Sequence, residues 1–201
     1  MIKKIVFLTA VLFCTLFNIK AQTGQIQEGS IINGTNNRPA GVVFQYDAQT
    51  GTGYMVSLVD AQLPWGATDV NIAYANDYIN SAKAGQDFAG LVNTAAIVDQ
   101  SGLKAGYAAR WCFELNAGGL TGWYLPSCGE LTLLFSKRQI VNQALQKINN
   151  ATPIANTWHW SSSEGNEVLA WNINFSGGDT YPADKDALKR VRAIRKFLNT
   201  K

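Results

Sequence analysis

Between Cys128 and Phe175 the spacing of apolar residues changes from helical to extended, and that change restricts the folds open to the chain. Leu131, Leu134, Val141, Leu145 and Ile148 recur at intervals of three, four and seven, which holds them on one helical face. Ser127 and Glu130 have the spacing of a capping box, in which hydroxyl and carboxylate satisfy first-turn amides that the helix leaves free. The pattern predicts a helix from Cys128 to Ile148. After Pro153 the period falls to two: Trp171, Ile173 and Phe175 share one side of an extended segment, and Asn172 and Asn174 share the other. A chain that keeps the two periods in separate blocks is α+β.

The flanking sequence fills out that order. Gly41–Tyr46 and Gly53–Val59 read as a β-hairpin joined by 47–52. Leu103, Tyr107, Trp111 and Leu115, four apart, predict a helix over Gly102–Leu115 that stops at Asn116-Ala117-Gly118-Gly119. Val191–Phe197 is expected as a final strand. The glycine- and asparagine-rich 22–39 is expected as a flexible tether, and 60–100 as a long, partly ordered excursion.

Two lysines followed by the apolar run Ile5–Phe17 give the shape of a signal peptide, because a membrane span needs about 20 residues. Cleavage is expected after Ala21. A lipid anchor on Cys14 is disfavoured by Phe13, which stands where a small residue is needed. Processing would remove Lys3, Lys4 and Lys20, so 17 basic residues become 14 against 14 acids. A neutral mature chain offers no electrostatic attraction to nucleic acid or to an anionic membrane. The expected domains are therefore a signal peptide at 1–21, a tether at 22–39 and one globular domain at 40–201. The chain is expected to be exported, to the periplasm, the cell surface or the medium, with no transmembrane segment. Two cysteines then remain, Cys112 and Cys128, and they are either a disulfide or two buried thiols.

Little in the sequence points to catalysis. His159 is the only histidine, so no His/Cys cluster forms a metal site, and neither metal nor cofactor is expected. Ser161, Ser162 and Ser163 lie too close to it along an extended segment to reach the geometry of a nucleophile and its base. Glu164 either binds a ligand or satisfies neighbouring amides. Arg192 and Arg195, three apart, fall on opposite faces of a strand, one to pair with a buried carboxylate and one to face solvent.

Five segments occur in a telling order: Gly122-Trp123-Tyr124-Leu125-Pro126-Ser127, Gly129-Glu130-Leu131, Trp160-Ser161-Ser162-Ser163-Glu164, Ala170-Trp171-Asn172-Ile173-Asn174-Phe175 and Val191-Arg192-Ala193-Ile194-Arg195. They resemble the bacterial domain named after the C-terminal part of the Lcl collagen-like adhesin, over Ala105–Phe197, and the hairpin at 41–59 looks like the opening of exported members. Tyr124 stands where that family usually has arginine. The resemblance implies a C-type-lectin-like fold: an N-terminal hairpin, two helices, short antiparallel strands with long loops, and a C-terminal strand. Trp171-Asn172-Ile173 only echoes the triplet of calcium-dependent sugar-binding lectins, so no calcium site is expected. Trp123, Leu125, Trp160 and Trp171 are expected in the core, with Ser127 and Glu130 as caps.

The function expected on these grounds is an exported binding or adhesion module for an extracellular glycan or protein. The alternatives are a structural subunit of a surface assembly and, by resemblance to some lectin-like domains, a binding protein diversified by a retroelement. The polar segment 176–189 has little apolar periodicity. Within it Asp179, Tyr181, Asp184 and Lys185 are the candidate ligand-binding residues, the alternative being a solvated connection.

Overall fold

The computed structural model describes residues 25–73, 77–101 and 106–199. The expected signal peptide and its cleavage position lie outside the described residues, as does Leu103. The domain is α+β, with strands in two sheets. The first sheet has the order β1 (Ile31–Asn33), β2 (Pro39–Tyr46), β3 (Thr52–Ser57), β9 (Ile194–Leu198). The second has the order β4 (Ala61–Leu63), β8 (Lys189–Val191), β5 (Trp158–Glu164), β6 (Leu169–Asn174), β7 (Thr180–Asp184). Neighbouring strands are antiparallel except β5 and β8, which run parallel through His159 and Arg190.

The expected hairpin is β2–β3. Its turn is held by Asp47, whose carboxylate accepts from Gln49 N (2.8 Å) and Thr50 Oγ1 (2.8 Å). From Gln25 on, the stretch expected as a tether is instead part of the fold. Ile31 and Ile32 pair with Val42 and Gly41, and Ile32 is fully buried. Asn36 and Asn37 both take positive φ, +55° and +56°, as the twist of a two-residue hairpin turn requires. Isolated apolar residues in a polar stretch carry no period, so the buried strand was hidden.

The helices are shorter and more numerous than the periodicity predicted. They are α1 (Ser81–Ala84), α2 (Gly90–Gln100), α3 (Ala108–Glu114), α4 (Cys128–Ser136) and α5 (Arg138–Leu145). The helix expected from Gly102 starts only at Ala108, because Tyr107 is extended (φ −128°, ψ 161°). The helix expected over Cys128–Ile148 breaks at Lys137, whose φ −105° and ψ 4° are not helical. Its apolar face continues across the break, so Leu134, Val141 and Leu145 still enter one core. The final strand also divides. Val191 ends a strand of the second sheet and Ile194 begins one in the first, so the chain changes sheets at Arg192-Ala193.

Each sheet is apolar on both faces. Met55, Trp65, Ile97, Trp123, Trp160 and Phe197 belong to one core cluster, and Phe44, Val56, Leu131, Trp171, Ile173 and Phe175 to another. The four aromatic and leucine positions expected in the core are all buried. Cys112 lies in the first cluster and Cys128 in the second, and both thiols are free, so the disulfide reading is replaced by that of two buried thiols.

Candidate functional site

At one end of the second sheet the pleat puts Lys189 on β8, Trp158 on β5, Asn174 on β6 and Tyr181 on β7 on one face. Trp158 on β5 is paired with Asn174 on β6, and Tyr181 on β7 with Asn172. The Trp158 and Tyr181 rings meet edge-on with centroids 6.0 Å apart, and Lys189 Nζ on β8 lies 5.8 Å from the Trp158 ring. Tyr181 is 61 % exposed, as is the neighbouring Leu188 at 60 %. Further along, the same face is covered: Trp160 is fully buried and donates Nε1 to Leu63 O (3.1 Å) and Ala187 O (3.3 Å).

The opposite end of β5 holds a buried ion pair. Glu164 and Lys185 have fully buried side chains in contact. Lys185 Nζ also donates to Val70 O (2.9 Å) and Glu167 O (3.0 Å), and it lies 4.7 Å from the Trp65 ring centroid. Glu164 accepts from Ile72 N (3.0 Å), while its carbonyl accepts from Tyr78 N (3.0 Å). Burial raises the Glu164 carboxyl, opposed by Lys185 and the Ile72 amide. These contacts fasten the excursion after β4 onto the sheet, so Glu164 takes the amide-satisfying role.

A second polar network surrounds Asp87. Its carboxylate accepts from Ala89 N (2.9 Å), Asn93 Nδ2 (2.8 Å) and Ser163 Oγ (2.6 Å). Its carbonyl accepts from Ser127 Oγ (2.7 Å), while Ser127 N donates to Glu130 Oε2 (2.8 Å) in the predicted capping box. Ser127→Ala should therefore cost about 2 kcal/mol, at the upper end for a cap, and lower Tm by a few degrees with binding intact. A thermal melt beside a binding curve checks it, and lost binding at unchanged Tm would give Ser127 a ligand role.

The residues with catalytic potential are held in structural roles. His159 is buried against Phe175 (4.4 Å between centroids), with Nδ1 2.9 Å from Thr157 O, while Ser161 Oγ donates to Trp171 O (2.7 Å). Burial pushes the Cys128 thiol up to about 12 and raises Cys112 well above its ordinary value, so both stay protonated. Arg192 is buried without the expected carboxylate contact: NH1 donates to Ser57 O (3.0 Å) and NH2 to Thr152 O (3.0 Å). Arg195 is buried as well, not facing solvent, and its Nε donates to Thr121 O (2.7 Å). Among the described residues no group of three or more His, Cys, Asp or Glu is arranged to hold a metal ion.

Of the four expected ligand-binding residues, Asp179, Tyr181 and Asp184 are exposed. Lys185 is not: it is spent on Glu164, a partner 21 residues earlier, and makes no surface contact. The segment 176–189 is neither a free loop nor a solvated connection, because it contains β7 and runs into β8 at Lys189. Trp158 and Lys189, both half-buried, complete the row beside Tyr181 and were missed. The alternation that places Trp158 beside Trp160 was visible, but nothing local told which end of that face stays uncovered.

The fold and these sites define a two-sheet α+β domain whose buried polar groups serve the architecture and whose second sheet ends in an exposed tyrosine, Tyr181, set against the half-buried Trp158. The Lcl C-terminal domain model matches residues 61–195, and the chain belongs to that family. The match starts earlier than the sequence motifs and leaves β1, β2 and β3 outside it. The crystal structure of a fimbrial protein from Bacteroides ovatus ATCC 8483 is similar, with a TM-score of 0.62 at 15% identity, covering 87% of this chain and 49% of that one. This chain thus spans about half the length of that protein, and the likeness is one of fold. No curated protein sequence matches. Among the described residues no helix is long and apolar enough to cross a membrane.

Proposed function

We propose that the chain is an exported, surface-associated binding module without catalytic activity, and that it takes an extracellular ligand on the Lys189–Trp158–Tyr181 row. The observation that carries this reading is the exposed Tyr181 ring held edge-on against the half-buried Trp158, since an ordered aromatic at the surface supplies contact area at little entropic cost. Membership of a family named for an adhesin's C-terminal domain supports it. First and last strands sharing a sheet accord with the C-type-lectin-like arrangement, and the neutral thiols and fully buried His159 accord with a non-catalytic role. Asp179 remains a candidate contact beside Tyr181, whereas Asp184, three residues further along β7, falls on the opposite face. Purified mature chain and its Tyr181→Ala variant on a glycan and protein array test the reading. The parent should bind a ligand that the variant loses, and equal binding by both would move the surface elsewhere.

The likeness in fold to a fimbrial protein favours a second reading, a structural subunit of a surface assembly. Stoichiometric co-purification of a surface partner, with no array ligand, would select it. Export is tested separately: mass spectrometry of protein from its host should find Gln22, cyclised or not, as the first residue. An intact Met1 in a soluble cytoplasmic fraction would refute export.

A further inference from the structure

We infer that the open end of the second sheet is a subsite for a neutral saccharide, seated on the Tyr181 and Trp158 rings and bonded by Asn174 and Asp179; this rests on the reading that the row is the binding surface. The rings need no ordering when a ligand arrives. Tyr181 lies in a paired strand, its carbonyl takes Asn172 Nδ2 at 2.8 Å, and its ring abuts Trp158, which Lys189 approaches. Sugar rings present C–H faces, which suit the electron-rich faces of aromatic rings, and a rim of hydroxyls, each wanting a donor and an acceptor.

The polar groups beside the rings supply that pair. Asn174 N donates to Asp179 O (2.9 Å), which brings the two residues together across β6 and the turn before β7. Asn174 Oδ1 accepts from Ser176 N (3.0 Å) and Ser176 Oγ (2.8 Å), so its amide nitrogen is the half that remains to donate outward. The exposed Asp179 carboxylate is the acceptor. Charge selects the class further: Lys189 adds one positive charge to the row and Asp179 one negative, leaving no net positive field to attract an anionic sugar.

The edge of the sheet argues against a peptide added as a further strand. Asn174 N donates to Asp179 O and Lys185 N to Val168 O, so alternation makes Trp171 and Pro182 a non-hydrogen-bonded pair whose outward positions face the open edge. Pro182 has no N–H to offer there, which blunts β7 for strand addition. Recognition at this end is left to side chains.

Affinity electrophoresis of the full mature chain through gels containing yeast mannan, laminarin or a neutral galactan tests the subsite, with heparin as the anionic comparison. At least one neutral polysaccharide should slow the parent, and Trp158→Ala and Tyr181→Ala should each weaken that retardation about tenfold or more. Asp179→Ala, at an exposed position, should weaken it too and guards against a folding defect in the tryptophan variant. Retardation by heparin alone, or by none of the three neutral gels, overturns the saccharide class. Retardation unchanged in all three variants overturns the site. If Tyr181→Ala abolishes binding to a protein on the array while no polysaccharide binds, the row stands as a binding surface and the saccharide falls. If no binding of any kind depends on these residues, both fall.

Discussion

Lys185→Met should lower the unfolding free energy by about 3–5 kcal/mol, the cost of leaving a buried charge without its partner. The Glu164 carboxylate would be left to the Ile72 amide in a fully buried position, and the carbonyls of Val70 and Glu167 would lose a donor. Urea denaturation of parent, Lys185→Met, Glu164→Leu and the double variant measures the effect. The double variant should recover at least half of the loss, because two apolar side chains of similar volume leave no unpaired charge. A loss under about 1 kcal/mol in Lys185→Met would mean that the pair is no more than a surface-strength contact.

The second large effect is acid sensitivity through His159. Burial pushes its imidazole down to about 4, Arg192 and Arg190 act in the same direction, and Thr157 O and Asp60 oppose them. In the unfolded chain a histidine takes up its proton near pH 6.5, so acid favours unfolding between the two values. The stability that comes from keeping the ring neutral is complete above pH 6.5 and is lost as pH falls from there through about 4, a total of about 3 kcal/mol. Glu130 and Glu164, whose carboxyls burial raises, act in the opposite sense at the acid end. The slope must therefore be compared with that of His159→Gln. Between pH 7.5 and pH 4.5 the urea midpoint of the parent should fall more steeply, and parallel slopes would contradict the assignment.

Local chemistry was legible wherever it was self-contained. The turn at Asp47 and the capping box at Ser127 and Glu130 each depend on groups within a few residues, and both stand where the sequence placed them. The α+β class followed from the two periods. What failed depended on distant partners. Asp184-Lys185-Asp186 reads as solvated charge, and only register with Glu164 and the loop at Val70 makes Lys185 a core residue. The 128–148 period was real, yet period survives a bend, so it marked a face and not the length of a straight helix. The face of β6 that carries Asn172 is covered along most of its length, so strict alternation overstated how much of a strand stays polar: Asn172 is 1% exposed. The candidate row was half legible. Tyr181 stood out in its polar segment, but Trp158 needed the sheet order to become its neighbour.

The first sheet takes its fourth strand from the far end of the chain: β9, at Ile194–Leu198, pairs with β3, with Val56 opposite Ile194. A chain delivered N-terminus first holds β1, β2 and β3 with the edge of β3 open until Ile194–Leu198 arrives. Closing so long a loop costs entropy before any contact repays it, and contacts this far apart in sequence make folding slow. The sheet is thus completed only after the strands of the second sheet have been made, and until then the waiting edge of β3 is what a holding chaperone would have to cover. For the same reason, removing the last strand leaves an unfinished sheet and not a smaller domain.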